Sequence, residues 1–288
     1  MHGPSPTLLI FEFGERSGKK YCAPTWNRRF EPIVDIKRDA ETIGRDHEED
    51  QKQVWEKLWS KDVSYRWDSL SELVFNALRE TIGSFDGKRI VEAGSGTGKI
   101  SLRLAMEGAE VTLVDYAKQA LDQSKLAFRM KNRMAQFVRS DIRSMPLEEN
   151  AYEVCWNAGV LEHFSNEEKV NILREMARIT KPGGQIVVLV PYSGCLPYRM
   201  GKAFAEQSGT WPYGVEMPVE SLKDAFGKAG IQMSEERCIG FLESLDFLDF
   251  IPDGLHVKSG LRQWYASLEM EERRLFPGYL LLTHGIII

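Results

Sequence analysis

Apolar positions along this 288-residue chain change their period in a regular way. Leu70, Leu73, Val74, Ala77 and Leu78 recur at helical spacing, one stripe of an amphipathic helix, and Ser69-Leu70-Ser71-Glu72 has the form of a capping box at its start. Trp55, Leu58 and Trp59 predict a shorter helix before it. From Lys88 onward, short apolar runs alternate with helical patterns, the signature of βα units feeding a parallel sheet. The runs predict strands at Arg89 to Ala93, Glu110 to Asp115, Ala135 to Arg139, Tyr152 to Asn157 and Gln185 to Pro191. Helices are expected between them at Lys99 to Glu107, Ala117 to Lys131 and Glu167 to Thr180, the last opening on a second capping box, Ser165-Asn166-Glu167-Glu168. Gly108 and Pro182-Gly183-Gly184 supply stop signals.

After Pro191 the rhythm breaks. Residues 192 to 217 are rich in Tyr, Gly, Pro and Trp, which suits a loop or cap better than a strand. A helix from Val219 to Lys228, a strand from Ile231 to Cys238, an aromatic-rich helical insertion from Phe241 to Phe276 and an apolar strand from Gly278 to Ile288 complete the chain. The first fifty residues mix one apolar run, Leu8 to Phe13, with Gly, Pro and charge, and read as an irregular extension.

Composition narrows the classes. An apolar fraction of 43% and a charged fraction of 27% match globular averages and argue against disorder or a fibrous repeat. A formal net charge of −5 repels a phosphate backbone, so nucleic acid is disfavoured as a partner. Cys22, Cys155, Cys195 and Cys238 lack CxxC spacing, so no metal site or disulfide framework is expected of them. No apolar run approaches the roughly 20 residues of a membrane span, and the first ten residues lack a secretory signal pattern; a cytoplasmic location is the expectation.

In open parallel sheets ligands bind beyond the carboxyl ends of the strands, so the turn Glu92-Ala93-Gly94-Ser95-Gly96-Thr97-Gly98 carries the most weight. Its glycines allow close backbone approach, and the following helix aims its first N–H groups there. Three cofactors use turns of this kind. A nucleotide P-loop needs GxxxxGK[ST], whereas Ala93 stands at the first glycine and Ile100 follows Gly98-Lys99. A dinucleotide fingerprint is GxGxxG, whereas this turn runs GxGxG behind Glu92, a carboxylate that would repel a pyrophosphate and attract a cation. S-adenosylmethionine carries both an ammonium and a sulfonium.

Glu92-x-Gly94-x-Gly96-x-Gly98 resembles the first motif of the class I, Rossmann-like S-adenosylmethionine-dependent methyltransferases. Asp115 follows Gly94 by 21 residues, where that family places an acid that accepts both ribose hydroxyls. Ser140-Asp141-Ile142 is similar to the adenine-contact site, with Asp141 toward the exocyclic amine. Tyr152 to Asn157 followed by Val160-Leu161-Glu162-His163-Phe164 resembles the small-molecule (methyltransferase type 11-like) subfamily that includes the quinone methyltransferases, and Lys181-Pro182-Gly183-Gly184 completes the set. The resemblance covers residues 88 to 191. It implies a doubly wound, mostly parallel seven-stranded sheet with an N-terminal helical lid and a helical, aromatic cap. Residues 1–68 would form the extension and lid, and 69–288 the methyltransferase domain with cap insertions at 192–217 and 241–276. The cofactor would be held by Glu92, Gly94, Ser95, Gly96, Gly98, Asp115, Tyr116, Asp141, Ile142 and Asn157, leaving S-adenosylhomocysteine as product.

His163 is the candidate general base, with no metal expected. An aromatic group from the cap, with Tyr192, Tyr198 and Trp211 to the fore, and Arg66 for an anionic substituent, would receive a small, partly apolar molecule through an oxygen or nitrogen atom. Arg199 and Lys202 are further cations of the cap. Tyr65, Arg66 and Trp67 would help close the lid. The rival readings are a protein or RNA methyltransferase, a non-catalytic binder of the cofactor, and an NAD-linked dehydrogenase. Asn157-Ala158-Gly159-Val160 lacks the Pro-Pro-aromatic motif of amino-methylating nucleic-acid enzymes.

Overall fold

The computed structural model describes residues 45–59 and 66–288. The run Leu8 to Phe13, Cys22 and Tyr65 lie outside the described residues, and with them most of the expected extension. Helix α1 (Arg45–Trp59) is followed by α2 (Ser69–Ile82), which opens one residue earlier than its capping pattern implied. Its N-cap is Asp68, whose carboxylate accepts the Ser71 N–H at 2.7 Å; an ionised side chain outcompetes the Ser69 hydroxyl for that position.

Strands β1 (Arg89–Ala93), β2 (Glu110–Asp115), β3 (Gln136–Arg139) and β4 (Tyr152–Ala158) alternate with α3 (Lys99–Met106) and α4 (Lys118–Met130). A 3-10 turn, Leu161–His163, leads into α5 (Asn166–Ile179), which starts on the expected capping box of Ser165 and Glu168. Strand β5 (Thr180–Pro191) begins five residues earlier than its apolar run because Thr180 already pairs with Tyr152, ahead of an irregularity in register. Then come α6 (Leu196–Gln207), α7 (Lys223–Lys228), β6 (Ile231–Ile239), α8 (Phe241–Ser244), a 3-10 stretch at Leu245–Phe250, α9 (Gly254–Ser267), α10 (Met270–Arg273) and β7 (Leu280–Ile287).

The seven strands form one sheet in the order β3-β2-β1-β4-β5-β7-β6. Strands β1 to β5 are parallel, and β7 inserts antiparallel between β5 and β6. Alternation along each strand gives two cores. Ile90, Leu113, Val154, Trp156, Val187 and Leu189 face α2, α3 and α4; Val91, Val114, Cys155, Ile186, Val188 and Val190 face α5 and α7. Both faces are covered, so the central strands read as continuous apolar runs. Each fully buried aliphatic side chain adds roughly 1.5–3 kcal/mol. Among the described residues no helix is long and apolar enough to cross a membrane.

The segment 192 to 217, expected as a loop or cap, contains the three-turn helix α6. Pro197 and Gly201 look like breakers, yet Pro is tolerated in a first helical turn. Gly201 is demanded by packing: a Cβ there would stand 2.1 Å from the Phe247 carbonyl oxygen.

Candidate active site

The glycine turn sits where β1 and β2 end. Gly94 N–H and Ser95 N–H both donate to the Val114 carbonyl (2.8 and 3.0 Å), folding the chain back across β2. Gly94, Gly96 and Gly98 all have left-handed φ, +78°, +50° and +63°. Space is as tight as the backbone. A Cβ on Gly98 would lie 2.0 Å from Leu113 Cδ2, and one on Gly96 would lie 2.9 Å from the Trp59 ring. At the three glycine positions the turn thus presents main chain alone.

Asp115 clamps this turn. Its Oδ2 accepts Gly96 N–H at 2.7 Å and its Oδ1 accepts Ala117 N–H at 2.8 Å. Burial raises its pKa while the Ala117, Gly96 and Tyr116 N–H groups oppose the rise. The carboxylate keeps capacity for a further donor. Glu92 is buried on the neighbouring strand with Oε2 unpartnered; burial, then the Asp115 charge, pushes it up to about 8. The Ser95 hydroxyl is also buried without a partner.

Asn157 ends the cluster on β4, pointing to the opposite face of the sheet from Glu92. Its Nδ2 reaches Met176 Sδ at 3.6 Å and its Oδ1 has no partner. Buried polar atoms are normally paired, so the orphaned oxygens of Glu92 and Ser95 at the end of β1 suit a site that takes a polar ligand, whereas Asn157 faces Met176 on the other side of the sheet. Ile142 is buried nearby in sequence to Asp141, whose carboxylate is held by Arg143 (Nη2 to Oδ2, 2.7 Å), itself bonded to Glu168. Burial raises the Tyr116 phenol, and the Tyr116 carbonyl accepts from Arg139 Nε at 3.0 Å.

On the other side of β4, His163 is placed by the 3-10 turn and buried among α1, the 213–217 segment and Glu162. Its Nδ1 lies 2.8 Å from the Val215 carbonyl, which can only accept, and 3.3 Å from Gln51 Nε2, which already donates to the Tyr213 carbonyl; the shorter contact assigns the proton to Nδ1 and leaves Nε2 bare. Burial first, and the Lys202 charge second, lower its pKa to about 4, leaving a neutral ring. Nε2 lies 3.9 Å from Glu162 Oε1. Glu162 is itself buried, its Oε2 unpartnered and its pKa raised far above normal by burial. Met217 N–H donates to the Glu162 carbonyl at 2.8 Å and brings in Glu216, whose Oε2 accepts the Tyr198 hydroxyl at 2.8 Å.

The candidate acceptor residues part company here. Tyr198 is fully buried, with ring contacts to Phe247, Tyr279 and Trp211 at 5.0, 5.1 and 6.4 Å. Trp211 adds Tyr213 and Phe250 at 5.3 and 5.9 Å. Tyr192 instead packs under the sheet on the α5 and α7 side, against the second core. Arg66 is exposed, its carbonyl accepting from Lys99 Nζ at 3.4 Å beside the glycine turn. Lys202 is buried against Glu206 and Glu216 and over the Trp211 ring.

Sequence reasoning missed Glu216, Tyr279 and the particular contacts of α1, a helix it placed within the expected lid. Gln51 Nε2 donates to the Tyr213 carbonyl (2.9 Å) and its Oε1 accepts Val215 N–H (3.1 Å), the amide mimicking a strand pair. Trp55 meets the His163 ring edge-on at 5.2 Å, and Trp59 covers Gly96. Helix α1 therefore runs from the glycine turn to His163. The hydrophobic signal of Trp55 and Trp59 announced a helix, while its destination depends on contacts more than a hundred residues away.

Residues 90–184 match the family model for a methyltransferase domain. The chain is 33% identical over 135 residues to the ubiquinone biosynthesis O-methyltransferase of Bordetella bronchiseptica, covering 42% of this chain and 53% of that one. It is 25% identical over 175 residues to the malonyl-[acyl-carrier protein] O-methyltransferase of Buchnera aphidicola, covering 60% and 68%. The chain thus spans about half the length of the ubiquinone relative. Among solved structures, geranyl diphosphate C-methyltransferase from Streptomyces coelicolor superposes with a TM-score of 0.59 at 12% identity, covering 85% of this chain and 99% of that one.

Proposed function

Since this chain carries a class I, S-adenosylmethionine-dependent methyltransferase domain, we propose that it transfers a methyl group from S-adenosylmethionine to an oxygen or nitrogen of a small, partly apolar molecule. The observation that carries this reading is the Asp115–Gly96 clamp beside the unpartnered oxygens of Glu92 and Ser95. A carboxylate with spare lone pairs suits a vicinal diol, a buried carboxylate at the turn suits an ammonium, and a glycine surface suits close approach of a nucleoside. The residues present fit the cofactor. When bound, S-adenosylmethionine supplies an electrophilic methyl on a positively charged sulfur.

What the chain's own residues contribute is alignment and exclusion of water. Gly94, Gly96 and Gly98 hold the turn open and Asp115 fixes it. Helix α1, with Trp59 over Gly96 and Trp55 against His163, closes the site as the N-terminal lid. Tyr198, Trp211, Phe247 and Tyr279 form one aromatic cluster, and Trp211 with Tyr213 connects it to Trp55. We assign this cluster to the apolar body of the acceptor, with bare Nε2 of His163 accepting a hydrogen bond from the acceptor's X–H group. With a pKa near 4 this imidazole orients the acceptor far better than it deprotonates it, since a general base works best near the ambient pH. An acidic X–H, as in a phenol, asks least of it. With the cofactor bound, the acceptor's X–H proton, oriented by Nε2 of His163, would pass to solvent as the acceptor takes up the methyl group, leaving S-adenosylhomocysteine as the other product.

Incubating the protein with methyl-labelled S-adenosylmethionine and a fractionated metabolite extract tests the reading by mass spectrometry. The expected product is a labelled molecule in the small-molecule fraction. Label confined to protein or RNA pools contradicts it.

A further inference from the structure

Glu162, His163 and Glu216 each offer one donor atom, and the three atoms lie within 4.8 Å of one another. From this cluster we infer that the chain holds a divalent cation of the Mn2+, Fe2+ or Zn2+ class, whose bond to Nε2 of His163 replaces the hydrogen bond assigned to that nitrogen above, with acceptor oxygen atoms completing its coordination. That last clause rests on the methyl-transfer reading; the metal site itself does not.

Three features support the assignment. Glu162 is 2% exposed and its Oε2 has no hydrogen-bond partner, which is costly for an oxygen unless something not yet counted satisfies it. The imidazole is already in ligand form: Nδ1–H is donated to the Val215 carbonyl and bare Nε2 faces Glu162, the arrangement by which metal-binding histidines have their tautomer and ring orientation fixed. Glu216 is oriented in the same manner by the Tyr198 hydroxyl at 2.8 Å.

The donor set selects the ion. Two carboxylates and one imidazole suit borderline and hard divalent ions, not soft thiophilic ones. Donors around such an ion at roughly 2.2 Å sit about 3–4.4 Å apart, so side-chain rotations of under about 1 Å close the cluster onto it. Three protein donors leave positions open, and the site stands beside the aromatic cluster. An acceptor with two neighbouring oxygens, such as a catechol or a hydroxy-carbonyl compound, fits both the open positions and the rings.

Mn2+ is the probe. Full-length protein stripped with chelator and titrated with Mn2+ should show one saturable site by loss of the free-ion EPR signal. Echo modulation from one directly bound imidazole nitrogen should appear on the wild-type complex. Glu216→Gln and Glu162→Gln should each weaken Mn2+ binding at least tenfold, while S-adenosylhomocysteine binding in the same samples stays within twofold. No saturable site up to ~1 mM Mn2+ overturns the assignment. So does absence of the nitrogen signal, which needs no variant, or binding untouched by both substitutions, which places the ion elsewhere. Loss of S-adenosylhomocysteine binding in the wild type would instead overturn the methyl-donor reading and leave the metal result standing.

Discussion

The proposed donor side and the proposed acceptor side of this molecule are built on different principles. The donor side is local and built largely of main chain: the five residues Gly94 to Gly98 after β1, the Asp115 carboxylate at the end of β2, and its hydrogen bonds to backbone N–H groups. The acceptor side is made of side chains delivered by four distant segments, residues 51–59, 161–163, 198–217 and 247–250, with Tyr279 beside them. A main-chain site tolerates almost no change at its glycines. A side-chain site can exchange its residues, and with them its substrate, on an unchanged frame.

The sharpest contrast is at Gly98. Alanine there meets both a left-handed backbone and Leu113 at 2.0 Å, so urea denaturation should show a loss of about 2–4 kcal/mol. A loss under ~0.5 kcal/mol would mean the turn is not a rigid main-chain device. Next in size is Asp115→Ala, which removes the clamp and the diol acceptor together. Calorimetry should show S-adenosylhomocysteine binding weaker by about 1–3 kcal/mol, and unchanged affinity refutes the ribose assignment.

Trp55→Ala should divide the two sides. It removes the ring against His163 and Tyr213 but leaves Trp59, on which Trp55 stacks, over Gly96, so the acceptor KM should rise several-fold while donor affinity stays within twofold. An equal loss for both ligands would make α1 a general cover instead.

The smallest effect is on pH dependence. Glu92 ionises near 4.5 when unfolded and near 8 when folded, so the folded chain binds the extra proton between those values. Its contribution to stability therefore declines as pH rises through that window. Glu162 and Glu216 act with the same sign. His163 acts oppositely, at lower pH: its folded pKa of about 4 lies below the ordinary 6.5, so stability is lost as pH falls from 6.5 toward 4. Between pH 7 and 8 the carboxyl groups dominate, and Glu92→Gln should flatten part of the fall in urea midpoint. A slope equal to that of the wild type removes Glu92 as a source.

The same contrast decides what the residues disclose in advance. The five parallel strands and the Ser165 capping box are legible because period and capping are local properties. The glycine turn is legible because left-handed backbone demands that residue type. Helix α6 is obscured because Gly201, needed only against Phe247, looks like a breaker. Glu216 is invisible as a partner of Glu162 because the hydrogen bond joining their segments, Met217 N–H to the Glu162 carbonyl, spans 55 positions in the chain. Tyr192 shows the converse: an aromatic residue in the right segment that the fold turns into core.

Titration calorimetry of the wild-type chain with S-adenosylhomocysteine, repeated in buffers of different ionisation enthalpy, addresses the donor assignment directly. The account predicts one site per chain and a heat that varies with buffer, because an ammonium beside Glu92 favours its carboxylate and releases a proton near pH 7. Folded protein that gives no saturable heat with this ligand, or that is saturated by NADH at the same site, contradicts it.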